Sequence, residues 1–273
     1  MLKWRIASAL VLVPLVLWTV LSLSSAAFAA ALLVPVLLGQ WEWSRLVPLN
    51  TWVAQALYLV VGGGVLALFW YFANAEPFVS TVIWLAVLWW LIALFWVAHP
   101  AWLETRPVPA RVLRAVLGWL ITATAWLALV VLHSRPDHGP WWVLFVISLV
   151  SVADTGAYFA GRRWGQRKLA PLVSPGKTWA GVYGALAACL LCALVGARVL
   201  QIDRSGVSLF VLVSLVAVMF SIAGDLFESL LKRKQGMKDS SALIPGHGGL
   251  LDRVDSLLAA APVFLFGLRW IRL

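Results

Sequence analysis

Apolar positions in this chain neither alternate nor keep to one helical face; they run in long blocks divided by short polar breaks. Blocks of roughly 17–25 residues, enough for a helix to cross a ~30 Å hydrocarbon core, lie at about 6–23, 26–40, 51–73, 78–98, 112–133, 141–160, 178–200, 207–231 and 252–270. The first two are the shortest and are separated only by Ser24 and Ser25, which predicts a tight hairpin. No strand alternation or solenoid-type repeat is visible. The pattern predicts an all-α polytopic membrane protein with about nine transmembrane helices. Lys3, Arg5, an apolar stretch and Ala27-Phe28-Ala29 imitate a secretory signal peptide. That stretch is too long for one and another apolar run follows at once, which favours a retained first span.

Composition strengthens the prediction. The 273 residues are 63% hydrophobic and 12% charged, with a mean hydropathy of +0.94, whereas a soluble domain carries about 25% charge. So few charges cannot build a water-facing shell, and disorder, a disulfide scaffold and a secreted domain are excluded on the same arithmetic. The net charge of +10 fits the positive-inside rule and anionic headgroups rather than nucleic acid. With the N-terminus in the cytoplasm, 16 of the 21 Lys and Arg residues fall on the cytoplasmic side and five on the other. Of the 18 Trp, those at predicted boundaries (Trp41, Trp43, Trp102, Trp141, Trp142, Trp164, Trp270) suit an aromatic belt. Cys189 and Cys192 lie inside an apolar run, where burial keeps thiols inert, and read as helix packing. Residues 1–150 hold 7 basic and 4 acidic residues, and residues 151–273 hold 14 and 7. The first part therefore reads as an N-terminal transmembrane scaffold and the second as the catalytic region of one integrated membrane domain.

Five acids fall in or at the ends of the later predicted spans: Asp154, Asp225, Glu228, Asp252 and Asp255. An ionised group at mid-membrane costs about 2.5–3.5 kcal/mol even on a lenient scale, so each needs a partner, a metal or a wet cavity. Asp225, Glu228 and Ser229 share one helix face by spacing, as do Asp252 and Asp255. Two such faces predict a divalent-cation site, since Mg²⁺ takes one or two carboxylates plus waters and phosphates. Pairing with Lys232, Arg233 or Arg253 is the plainer alternative. Between the faces, a basic stretch runs into Gly246-His247-Gly248-Gly249 just before a helix start, a combination suited to polyphosphate. Earlier, Asp154 ends one span and Ser174-Pro175-Gly176-Lys177-Thr178 opens the next. A P-loop is rejected, because Pro171 stands where that motif needs Gly and no strand precedes it. Lys177 and Thr178 instead offer a cation and a hydroxyl to phosphate. His99, His133 and His138 are isolated and do not read as ligands.

Ser229-x-x-Lys232-Arg233, four residues, Lys238-Asp239, then Pro245-x-His247-Gly248-Gly249-x-x-Asp252-Arg253-x-Asp255 resembles the signature of the phosphatidate cytidylyltransferases (CDP-diacylglycerol synthases) of bacterial type. Asp154-Thr-Gly-Ala-Tyr, Ser174 to Thr178 and Gly224-Asp225 are also similar to that family, so the resemblance covers about residues 150–260. It implies a multispan, dimeric, Mg²⁺-dependent enzyme that joins CTP and phosphatidic acid into CDP-diacylglycerol and releases pyrophosphate. It places the metal on Asp225 and Asp252, with a second cation left open. Lys232, Asp255 and His247 become the catalytic group. Asp154, Ser174, Lys177, Thr178, Ser229, Arg233, Lys238, Asp239, Gly248, Gly249 and Arg253 become substrate-binding. The expected partners are CTP, phosphatidic acid, membrane lipids and a second copy of the chain, without nucleic acid, in a bacterial inner membrane with the site facing the cytoplasm. Two alternatives stay open: a sister enzyme for an ether-linked lipid, and a cation-coupled transporter. The transporter would place acids near the midplane in both halves of an internal repeat.

Overall fold

Helices form where the apolar blocks predict them. In a computed structural model, which describes residues 2–99, 111–243 and 248–271, the order is α1 (Leu2–Ser22), α2 (Ser25–Leu46), α3 (Trp52–Tyr71), α4 (Glu76–Ala98), α5 (Arg111–His133), α6 (Gly139–Trp164), a small hairpin of β1 (Lys168–Ala170) and β2 (Ser174–Thr178), then α7 (Trp179–Val199), α8 (Val207–Lys234) and α9 (Leu251–Leu268). Local signals set several starts. The Ser24 hydroxyl accepts from Ala27 N at 3.3 Å, the Thr51 hydroxyl from Ala54 N at 3.2 Å, and a proline occupies the first turn of α4 and of α6.

Seven helices, α2 to α8, are long and apolar enough to cross a membrane, making this a multi-pass membrane protein. The last helix differs: α9 has 18 residues and carries Asp252, Arg253 and Asp255 near its start. It packs against α8, α5, α4, α6 and α2. Ala259, Ala260, Ala261 and Phe264 are fully buried, so α9 is a central column of the core.

Three expectations need correction. The segment read as opening a helix at Ser174 is instead an antiparallel strand, with Lys168 opposite Thr178 and Ala170 opposite Ser174, and α7 starts only at Trp179. Strands this short show no legible alternation, and β1 ends just before Pro171, so the missing glycine alone excludes a P-loop. Second, α2 runs six residues beyond its predicted end at 40, to Leu46, and buries Glu42, Trp43 and Ser44 in the added turns. Third, Trp43 and Trp142 are 1% exposed. Their indole N–H groups donate to Arg114 O and Asp137 O, so they are interior residues with satisfied donors and not lipid-facing anchors. Trp141, Trp164 and Trp270 are exposed, and Trp102 lies outside the described residues.

The α6–α7 pair is held close by small residues. A Cβ on Gly156 would lie 2.6 Å from Gly184 O and 2.7 Å from the Ala188 methyl, and one on Gly184 would meet Gly156 O and the Ala160 methyl. Glycine on both sides lets the backbones touch, as at close crossings in membranes. This seam places the end of α6, which carries Asp154, beside the hairpin that leads into α7.

Candidate active site

The hairpin, the C-terminal half of α8 and the first turn of α9 bring the predicted residues to one end of the bundle. Lys177 on β2 reaches across to α8, with its ammonium 2.7 Å from an Asp225 carboxylate oxygen. Ser229, one turn along α8, donates to the other oxygen at 3.3 Å. Asp154, Lys177, Thr178 and Asp225 line a cavity of about 410 Å³, together with Tyr158, Arg162, Leu169, Val182 and Ile222. The lining is mostly apolar, with Asp154, Arg162, Lys177, Thr178 and Asp225 as its polar members. Arg162 donates to the Tyr158 hydroxyl at 3.0 Å. The Thr178 hydroxyl accepts from Gly181 N at 3.1 Å and so caps its own helix. Ser174 begins β2 and is half-buried.

A second, drier group lies deeper between α8 and α9. Lys232 forms ion pairs with Glu228 at 3.0 Å and with Asp252 at 2.5 Å. All three side chains are nearly enclosed, at 9%, 3% and 6% exposure, and one Glu228 oxygen has no hydrogen-bond donor. The other Asp252 oxygen accepts from Ser240 N (2.9 Å) and Gly249 N (2.8 Å), and Ser240 Oγ lies 3.0 Å from it. Asp252 therefore anchors the loop between α8 and α9 besides holding Lys232. Asp255, also buried, accepts from Ser256 N at 2.6 Å. The close crossing of α8 and α9 depends on Gly224, where a Cβ would lie 2.8 Å from Asp255 O.

The glycines of the loop have backbone reasons for being there. Gly248 has φ +83, a left-handed conformation that side chains disfavour. A Cβ on Gly249 would strike Ser240 Oγ and come within 2.7 Å of a Glu42 carboxylate oxygen. Arg233 donates to Met237 O at 3.3 Å, and Lys238, Asp239 and Arg253 are exposed at the rim. His247 lies outside the described residues.

The structure adds a residue that the sequence reading did not select. Glu42 of α2 is fully buried and bonds to Ser240, Ser241 and the first residues of α9. The criterion that singled out the other acids, a charge within an apolar span, would have found it had the end of α2 been drawn correctly.

Among the described residues, no three His, Cys, Asp or Glu side chains converge in ligating positions. Mg²⁺ does not require such a cage, since substrate phosphates and waters complete its shell. Asp225 suits it: a hard oxygen donor in the lining of the cavity, whose polar side-chain partners among the described residues are Lys177 and Ser229. Asp252 suits it once Lys232 gives up the oxygen it holds.

The sequence matches the model of the cytidylyltransferase family over residues 3–271. It is 40% identical to a phosphatidate cytidylyltransferase of Pseudomonas aeruginosa over 265 residues, covering 97% of this chain and 96% of that protein. Against one from Haemophilus influenzae it is 37% identical over 284 residues, covering 97% and 98%. A phosphatidate cytidylyltransferase of Brucella suis is 44% identical over 142 residues, covering 52% of each chain.

Proposed function

The chain belongs to the cytidylyltransferase family, and we propose on that basis that it transfers the cytidylyl group of CTP to phosphatidate, giving CDP-diacylglycerol and pyrophosphate for phospholipid synthesis. The observation that carries this reading is the Lys177–Asp225 pair in the lining of a mostly apolar cavity. A lipid phosphate needs a charged group and an apolar surround together.

Phosphatidate is a phosphate monoester whose second ionisation falls near ~6, so at neutral pH its own oxygen is the nucleophile and no protein base is required. That oxygen attacks the α-phosphorus of CTP in line, the bond from the α-phosphorus to the bridging oxygen breaks, and pyrophosphate leaves with the electron pair. The obstacle is repulsion between two polyanions, which a site must screen while it aligns them. Lys177 and Lys232 are the cations in position to do so: Asp225 orients the first, and Glu228 and Asp252 orient the second. Asp225 and Asp252 are the residues that would hold Mg²⁺, which when bound neutralises phosphate charge. Asp255, buried in the second turn of α9, completes the catalytic group of this reading.

Asp154, Ser174, Ser229, Arg233, Lys238, Asp239, Gly248, Gly249 and Arg253 belong to the same reading as the surround of the substrates. So do His247 as an orienting group, a homodimer without nucleic acid, and nine spans with the N-terminus and the site on the cytoplasmic side of a bacterial inner membrane. Residues 1–150 act as scaffold and 151–273 as the catalytic region. Supporting the orientation, Arg111 and Arg114 bond to carbonyls at residues 46–48, and Glu42 reaches the loop after α8, so the basic segments gather at the end that holds the site.

The test is direct. Purified protein is incubated with α-labelled CTP, phosphatidate and Mg²⁺, and the label should enter the lipid phase. No transfer to phosphatidate, or transfer to an ether-linked lipid alone, would overturn the assignment.

A further inference from the structure

Glu42 presents an unusual arrangement. Its carboxylate is 0% exposed, and its partners are hydroxyls and backbone N–H groups. One oxygen accepts from Ser240 Oγ at 3.1 Å and from Leu251 N at 2.6 Å; the other accepts from Leu250 N at 3.0 Å and from the Ser241 hydroxyl. The first turn of a helix leaves backbone N–H groups without internal partners and favours negative charge beside it. At the start of α9 the local sequence supplies no side-chain cap, because the cap position is Leu250. Glu42 supplies that cap from a helix about 200 positions earlier in the chain.

The same carboxylate governs the loop through one serine. Ser240 Oγ donates to Glu42 at 3.1 Å and approaches Asp252 at 3.0 Å, so it stands between two carboxylates. Asp252 in turn orients Lys232. Gly249 is confined by Ser240 and Glu42 together, which fixes the last residues before α9. We propose that Glu42 is a positioning residue for cytidylyl transfer: it caps α9 from outside and, through Ser240, sets the Asp252–Lys232 pair. The activity arm of this proposal rests on the function proposed above; the structural arm does not.

The test uses Glu42→Gln in the full-length protein. The amide keeps one acceptor oxygen and turns an NH₂ toward donors, so part of the four-bond set is lost. Amide exchange at Leu250 and Leu251 should accelerate about tenfold or more, while α7 amides keep their protection. Turnover should fall about tenfold or more with the KM for CTP changed far less. Because Glu42 acts through Ser240, Glu42→Gln combined with Ser240→Ala should lose no more turnover than the worse single variant. Wild-type exchange at Leu250 and Leu251, or turnover losses that multiply in the double variant, would overturn the proposal. Should Glu42→Gln not fold, Ser241→Ala removes one of the four bonds and should give the same pattern, smaller. Unchanged exchange and turnover there would overturn it equally. If the wild-type protein lacks cytidylyl transfer, the exchange result still reports on Glu42, so the two failures are distinct.

Discussion

Lys177 and Asp225 meet at 2.7 Å although 48 positions separate them, and their contact is what joins the hairpin to α8. Both side chains are about one-quarter exposed, at 25% and 29%. Such a pair contributes little to stability, about 0–1 kcal/mol, so its place on the cavity wall points to chemistry. Asp225→Asn should therefore abolish turnover while leaving a folded, detergent-stable protein. Asp252→Asn should also abolish it, and the double variant should lose little more, since residues serving one metal act as a unit. Asp203→Asn, exposed in the loop before α8, should be near neutral in the same assay. Near-normal turnover and Mg²⁺ dependence in either site variant would refute the shared-metal role.

Lys232 should behave differently. Removing it leaves Glu228 and Asp252 enclosed at 3% and 6% exposure without their cation, a loss of about 3–5 kcal/mol for a broken buried pair. Lys232→Ala should thus lower both the unfolding midpoint and turnover. Adding Glu228→Gln should recover part of the midpoint and none of the turnover, measured by thermal unfolding in detergent beside the labelled-lipid assay. Recovery of both would reduce Lys232 to a structural counter-ion.

Gly249→Ala should disrupt the loop, because its methyl would overlap Ser240 Oγ and crowd Glu42. Gly64→Ala is the comparison: nothing lies within 4 Å of a Cβ built there, so stability and turnover should stay at wild-type values. Equal losses at both positions would show that generic sensitivity to glycine replacement, not the loop geometry, accounts for the effect.

The seam between α6 and α7 predicts a fourth class of variant. Gly156→Val would push Gly184 and Ala188 away and move Asp154 relative to Lys177. Overpacking of this kind costs about 1–3 kcal/mol, and turnover should fall further than the unfolding midpoint suggests. Gly63→Ala, with open space around it, should do neither.

Much of this was legible in the sequence. Long apolar blocks announce their helices because lipid leaves a backbone few other choices, and charges in such blocks are too costly to be incidental. Asp225, Glu228, Asp252 and Asp255 stand out on that ground; Asp225 pairs with Lys177, and Glu228 and Asp252 share Lys232. Glu42 does not stand out, because the apolar block ends at Gln40, two residues before it, yet the fold buries Gln40, Glu42 and Ser44. The pairing of Lys177 with Asp225, and of Lys232 with Asp252, depends on how helices cross, which periodicity does not encode. The hairpin was hidden for a simpler reason: three and five residues are too few to show alternation.

The long reach of Glu42 also bears on how the protein is made. Its α9 partner Leu251 is 209 residues further along the chain, and synthesis proceeds at about 5–20 residues per second. For roughly 10–40 s after α2 has left the ribosome, its carboxylate waits near the end of an inserted helix without the groups that will finally receive it. The site is thus completed only once α9 has been translated, and a ribosome halted before it leaves a nascent membrane protein whose Glu42 lacks the backbone donors of Leu250 and Leu251.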